Sequence, residues 1–203
     1  MTGLFRLEPV TLRGRSVLLE PMAASDAPAL AAIGLDPDLW RWVPTPMTDA
    51  ADMHAWVAEA LDEARRGIAF PFTISSLATG EAIGSTRFAN IRAQDRGLEI
   101  GWTWFARPWQ RTAANSETKK LVLAHAFETL GAVRVELKTD RLNDRSRRAI
   151  ERLGARQEAI FRKHRWIPHQ GRFRDTIYYS ILDEEWPAIK ARLTNRLEER
   201  PPA

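Results

Sequence analysis

"IGWTWFARPWQRTAANSETKK", residues 100–120, decides how the rest of the chain is read. Its first residues continue a β-like run, Leu98 to Phe105, that carries Trp102 and Trp104. Pro108 breaks the run, Trp109 follows, and Gln110-Arg111-Thr112-Ala113-Ala114-Asn115 makes a short polar loop. Apolar spacing then predicts a Lys-flanked helix over 116–130, stopped by Gly131. A strand, a loop of small residues and a helix leave the first N–H groups of the helix unpaired, and the helix dipole adds positive charge there. Two readings stay open at this joint. Asn115 caps the helix, or the small residues let a pyrophosphate approach the backbone, with Arg111 adding charge. The glycines of a Walker loop or a dinucleotide fingerprint are missing, so neither of those motifs is supported.

Working outward, the sequence predicts strands at Val17–Glu20, 69–75, 82–89, 98–105, 133–139, 157–166 and 174–182. Ser25 is placed to cap a short helix that Gly34 ends, and Thr48 to cap a longer one through about Arg66 with Met53, Trp56, Val57, Ala60, Leu61 and Ala64 on one face. A helix over 144–153 ends at Gly154, and Asp183 is placed to cap a last helix that shares Trp186, Ile189, Leu193 and Leu197 on one face. Residues 199–203 read as a frayed tail. The order is β, two helices, a β meander, then β-α-β-α-β-β, which predicts one mixed α/β domain over 1–203, its core at about 10–187 and a C-terminal helix and tail at 184–203.

The bulk numbers bound the function. The chain has 203 residues, 44% of them hydrophobic, enough for one well-filled core. No cysteine is present, which excludes disulfides, thiolate metal sites and cysteine nucleophiles and suits a reducing cytosol. No apolar run is long enough for a membrane span and the N-terminus lacks a signal-like apolar stretch, so a cytoplasmic protein is expected. Net charge is +4, and between Arg134 and Arg174 thirteen Lys and Arg stand against five Asp and Glu. That excess reads as a solvated face or as an anion site for phosphates or RNA. No nucleic-acid motif is recognisable and no His/Asp/Glu cluster has metal spacing, so neither a nucleic acid nor a metal is expected.

The joint resembles the acetyl-CoA signature of the GNAT N-acetyltransferases, a strand followed by [Gln/Arg]-x-x-Gly-x-[Gly/Ala] and a helix. "LEIGWTWFARPWQRTAANSE" is similar more narrowly to the RimJ/RimL branch, the ribosomal-protein N-terminal acetyltransferases. The likeness covers about residues 10–187 and includes "RLNDRSRRAIERLGA" and "GRFRDTIYYSIL". Ala113 stands where the family usually carries Gly, and Asn115 where it carries Gly or Ala. The resemblance implies the GNAT fold, α/β with a central, mostly antiparallel twisted sheet of about 6–7 strands, about four flanking helices and a C-terminal helix. It also implies acetyl-CoA as co-substrate, with no metal, and a monomer or homodimer.

Site residues follow from the residues and the resemblance together. Backbone from Gln110, Arg111, Thr112, Ala113, Ala114, Asn115 and Ser116 would hold the pyrophosphate. The backbone of Trp102, Thr103 and Trp104, with Asn143, would pair with pantetheine, and an N–H near Trp102–Thr103 would meet the tetrahedral oxyanion. Asn143 is a good N-cap, and Ser146 shares a helix face with Ala149, Ile150 and Leu153, so its hydroxyl either bonds backbone or points into a cleft. By resemblance Ser146 assists the leaving thiolate. Glu99, expected on the opposite side of its strand from Ile100, Trp102 and Trp104, is either a solvated strand glutamate or, by resemblance, the base that acts through water on the alkyl ammonium. His125 reads as structural, and His164 and His169 as residues near the last hairpin. Trp40 and Trp42, in a proline-rich loop, either cover a core or stack on the acceptor. The acceptor implied is a protein N-terminal amine. A small amine, amino acid or antibiotic is the alternative, and an inactive CoA-binding module is the reading from another class.

Overall fold

The computed structural model describes Phe5 and residues 7–199, so the last four residues of the expected tail lie outside the described residues. One sheet of eight strands runs through it in the order β1-β2-β3-β4-β5-β6-β8-β7. The strands are β1 Leu12–Arg13, β2 Val17–Pro21, β3 Ala69–Ser76, β4 Ala82–Arg92, β5 Gly97–Phe105, β6 Arg134–Asp140, β7 Arg156–Ile167 and β8 Arg172–Leu182. The count exceeds the expected 6–7 because Leu12–Arg13 adds a two-residue edge strand opposite Leu18–Leu19. All neighbours pair antiparallel except β5 and β6.

Six helices cover the sheet: α1 Ala27–Gly34, α2 Pro37–Trp40, α3 Ala50–Arg65, α4 Ala114–Ala124, α5 Asp144–Leu153 and α6 Trp186–Glu198. The short α2 is one turn within the proline-rich loop, started by the Asp36 carboxylate accepting the Asp38 N–H at 3.0 Å. Several caps differ from expectation by a residue or two. Asp49 rather than Thr48 caps α3, accepting the Asp52 N–H at 2.9 Å, while Asp52 reaches back to the N–H and hydroxyl of Thr48. Ser25 and Asp183 each lie in a single 3-10 turn ahead of the helix proper. The predicted helix 116–130 begins earlier, at Ala114, and its end relaxes into a π-helical turn over His125–Thr129.

Two apolar clusters result. On one face α1 and α3 enclose Met53, Trp56, Val57 and Ala60 with Trp40 and Trp104. On the other α4, α5 and α6 bury Ala114, Val122, Leu123, Ile150, Leu153, Trp186 and Ile189 against Phe72, Phe88, Leu98, Ile100, Val135 and Ile177. The β1–β2 turn is tied to α4 by the buried Glu117 carboxylate, which accepts the N–H groups of Arg15 and Ser16 and the Ser16 hydroxyl. A side chain at Gly14 would meet that carboxylate at 2.6 Å, so the turn needs glycine. Among the described residues no helix is long and apolar enough to cross a membrane.

Candidate active site

The parallel pairing of β5 with β6 covers only Gly97↔Arg134, Leu98↔Val135 and Glu99↔Glu136. Past Glu99 the two strands diverge, and the backbone of residues 100–105 has no partner on its β6 side. β5 also carries an extra residue here. Ser85 opposes Trp104 and Arg87 opposes Gly101, so four β5 residues face three on β4, and Trp102 takes a left-handed φ of 50°.

The bulge changes which side chains share a face. Ile100 lies in the α4-side core, whereas Trp104 lies in the α1–α3 cluster and Trp102 packs beside Arg87 and Lys138. Simple alternation set Glu99 apart from Trp102 and Trp104. The extra residue instead brings both tryptophans round to the Glu99 face.

Glu99 is buried, 2% exposed, and its carboxylate meets Lys138 Nζ at 2.7 Å and the Asn90 side-chain amide. Both partners hold Oε2, which leaves Oε1 beside Gly101, where an added Cβ would lie 3.0 Å away. Trp102, 40% exposed, stands over this corner with its ring on the Arg87 guanidinium at 4.9 Å. Arg87 also lies over the Trp56 ring at 4.9 Å and pairs with Glu63 at 2.8 Å, and among the described residues its Nε and Nη2 have no hydrogen-bond partner.

The loop over residues 110–115 lies between the end of β5 and α5. Gln110 donates to the Phe105 carbonyl at 3.0 Å and accepts from Arg145 at 2.7 Å, which ties the loop to α5. Thr112 donates to the Trp109 carbonyl and accepts the Ala114 N–H. The first bond of the α4 ladder runs from Glu117 N–H to Ala113 C=O at 2.9 Å, and Asn115 and Ser116 donate no backbone hydrogen bond. Asn115 is therefore inside the helix. The N-cap is Ala113, at φ −69° with no side-chain cap, and the left-handed residue is the exposed Arg111, φ 65°. The substitutions at 113 and 115 thus cost the loop no strain, because the special conformation falls two residues before Ala113.

Asn143 caps α5 as expected, its Oδ1 accepting the Ser146 N–H at 3.0 Å. That bond spends the Asn143 carbonyl on the helix and sets half-buried Ser146 in the first turn of α5. Trp40 corrects one expectation. It is 5% exposed, donates to the Gly34 carbonyl at 2.6 Å and packs on Trp56 and Trp104, so it is a core residue and offers no acceptor surface. Trp42 is partly exposed, with the Arg41 and Arg172 guanidinium groups on its ring. His169 and Gln170 bind the Arg41 carbonyl and Arg174 binds that of Trp42, which closes the β7–β8 loop onto the tryptophan loop. His125 stacks on Phe88 at 6.0 Å, and burial holds it below the usual histidine range.

Lys119 was missed. It is 6% exposed, pairs with no carboxylate among the described residues and donates from Nζ to Thr103 Oγ1 at 2.7 Å, on the α4 side of the bulge. Thr103 Oγ1 lies 2.7 Å from Thr86 Oγ1. Burial pushes the ammonium down to about 7. The signal was present in the spacing: Lys119 falls at i, i+3, i+4 and i+7 with Val122, Leu123 and Ala126, in the apolar stripe.

A sheet that opens after one parallel pairing, a bulge beside the opening and a helix N-terminus across it define an acyl-CoA-type transferase fold. The sequence profile of the acetyltransferase (GNAT) domain matches residues 16–156, and the chain belongs to that family and is an N-acetyltransferase. The family takes its acetyl group from acetyl-CoA. A relative from Bacillus licheniformis, described as the uncharacterized N-acetyltransferase p20, is 27% identical over 177 residues, 87% of this chain and 98% of its own. The crystal structure of a GCN5-related N-acetyltransferase from Brucella melitensis is 31% identical with a TM-score of 0.86, covering 95% of this chain and 87% of that one. Mycobacterium smegmatis RimJ in complex with CoA-disulfide is 25% identical with a TM-score of 0.79, covering 93% and 95%.

Proposed function

We propose that the protein transfers the acetyl group of acetyl-CoA to a protein N-terminal amine by direct attack in a ternary complex. The observation that carries this reading is the divergence of β5 from β6 beyond Glu99, with unpaired strand backbone, the bulge and the α4 N-terminus all bordering one gap. The residues present suit the co-substrate. The N–H groups of Asn115 and Ser116, at the positive end of α4, and the exposed Arg111 fit a pyrophosphate. Gln110, Thr112, Ala113 and Ala114 shape that loop. The free edge at Trp102, Thr103 and Trp104 fits an amide-bearing arm.

In this reading Glu99 takes a proton from the acceptor ammonium through a water at Oε1, the oxygen its partners leave open, and the neutral amine then attacks the thioester carbon. A bulge N–H near Trp102–Thr103 stabilises the oxyanion. Ser146 donates its hydroxyl proton toward the departing sulfur. The Asn143 side chain fixes the first turn of α5 through Oδ1 and pairs with the arm through its amide N–H groups. Trp42 borders the acceptor. Likeness to RimJ, and to a Bacillus subtilis relative described as "Putative ribosomal N-acetyltransferase YdaF" that is 29% identical over 111 residues, supports a protein acceptor. A planar small acceptor would stack on exposed tryptophans, and Trp40 is buried in the core, which leaves Trp42 for that role.

The test is release of CoA thiol from acetyl-CoA with two acceptor sets, N-terminal peptides of ribosomal proteins and small amines with amino acids. Turnover confined to peptides is the expected result. Turnover confined to small amines would move the acceptor to the second class, and acetyl-CoA binding without turnover of either set would leave an inactive CoA-binding module.

A further inference from the structure

The Glu99 face does not end at the gap. Lys138 Nζ, on Glu99, lies 5.7 Å from the Tyr178 ring. Tyr178 packs on Phe161 at 4.5 Å, and Phe161 on His164 at 5.5 Å. Phe161 and His164 belong to β7, the outer strand of the sheet, and Phe161 is exposed. A continuous aromatic path therefore leads from the base to the sheet edge.

Positive charge gathers at the end of that path. Arg165 pairs in register with Arg174 on the same face, and Arg162 and Lys163 lie beside it, where β7 bulges and Lys163 takes a φ of 49°. Arg162, Lys163 and Arg165 are exposed, and among the described residues their side chains make no salt bridge. The neighbouring acids are already engaged: Asp140 with Arg172 at 2.6 Å, Glu158 with Arg134 and Ser180, Glu99 with Lys138, and Asp175 with the Lys163 N–H. His164 registers the resulting potential. Its proton affinity is lowered first by burial and then by Arg165, Lys138 and Arg174.

We infer that this face, from Tyr178 and Phe161 to Arg162, Lys163 and Arg165, docks the acceptor chain beyond its amine and selects polypeptides with acidic residues shortly after the N-terminus. The inference rests on the protein-acceptor reading above. From β6 across β8 to β7 is two strand spacings, about 10 Å, and an extended chain rises about 3.3 Å per residue. Acceptor residues three to five then lie over the cationic edge. A second copy of this chain is the wrong partner, since two such edges would bring like charges together.

The test compares peptides identical except for Asp, Gln or Lys at positions three to five, read by CoA-thiol release at about 20 mM and about 300 mM salt. At low salt kcat/KM for the Asp peptide exceeds that for the Lys peptide by about tenfold, and the ratio shrinks at high salt. The double variant R162E/R165E, at two exposed positions and checked for unchanged melting, reverses the order. Equal kcat/KM for the three peptides, or an order the double variant leaves in place, overturns the inference while keeping the protein acceptor. If no peptide turns over and a small amine does, the acceptor reading falls and this one with it. If the three peptides perform alike and an oligoribonucleotide binds wild type but not the double variant, the edge is a nucleic-acid surface and the inference is overturned.

Discussion

Lys119 and Thr103 join α4 to the bulge of β5: the lysine Nζ donates to the threonine Oγ1 at 2.7 Å and, among the described residues, pairs with no carboxylate. The bond holds a buried cation against the strand segment where the oxyanion would form. Its proton affinity gives a first prediction. Burial lowers Lys119 from an ordinary value near 10.5 to about 7. Between those limits the unfolded chain binds a proton that the folded chain lacks, so stability rises with pH from about 7 upward and is flat below. Urea unfolding at pH 6, 7.5 and 9 should show that rise, at most about 1.4 kcal/mol per pH unit from this group. Lys119→Met should flatten it and stabilise the fold at pH 7 by roughly 2–4 kcal/mol. A slope unchanged in Lys119→Met would assign the effect to another group.

Glu99→Gln tests the base. The amide keeps the size of the side chain but cannot accept the ammonium proton, so kcat should fall about 100-fold with acetyl-CoA affinity nearly unchanged. Calorimetric titration with acetyl-CoA beside steady-state thiol release separates the two quantities. Turnover equal to wild type at every pH would remove Glu99 from the reaction.

Asn115→Asp separates stability from capture. A carboxylate in the first turn of α4 complements the helix dipole and should stabilise the fold by about 0.5 kcal/mol. The same charge faces the proposed pyrophosphate, so the Kd for acetyl-CoA should rise about tenfold, more at low salt. A melting scan and a binding titration on one preparation read both effects, and a variant that is stabilised and binds as wild type would move the phosphate away from this helix.

Glu117 and Gly14 meet at a single contact. Glu117→Gln weakens the grip on Arg15 and Ser16, and Gly14→Ala drives a methyl group into the carboxylate. Each should cost about 2 kcal/mol. Because both break the same contact, the double variant should cost clearly less than the sum, which a double-mutant cycle in urea measures.

Much of this was legible in the sequence. Period-two runs and glycine stops located seven of the strands, and Asn143 and Gly154 marked the ends of α5, because these signals are local. What escaped depends on contacts between elements. Nothing near Trp102 announces an extra residue in β5; the mismatch exists only against β4, and with it the faces of Trp102 and Trp104 changed. Trp40 sits in a proline-rich segment that reads as surface loop, yet Trp56 and Trp104, both distant in sequence, supply the walls that bury it. Lys119 was readable as a charge in an apolar stripe, but its partner Thr103 lies on another element.

The eight strands are held at their middle by three rungs, Gly97 to Glu99 against Arg134 to Glu136, with the Glu99–Lys138 and Arg92–Glu136 pairs across the same seam. The sheet is in effect two plates joined by one short backbone seam and braced by the α4-side core, by Gln110 with Arg145 and by the loop contacts to the Arg41 and Trp42 carbonyls. Glu99 and the bulge ride on one plate, and Tyr178, Ser146 and the basic edge ride on the other. In the proposed reaction a small tilt about the seam would change the separation of acceptor amine and leaving sulfur, so alignment and occupation of the gap would be set together, where the two strands part.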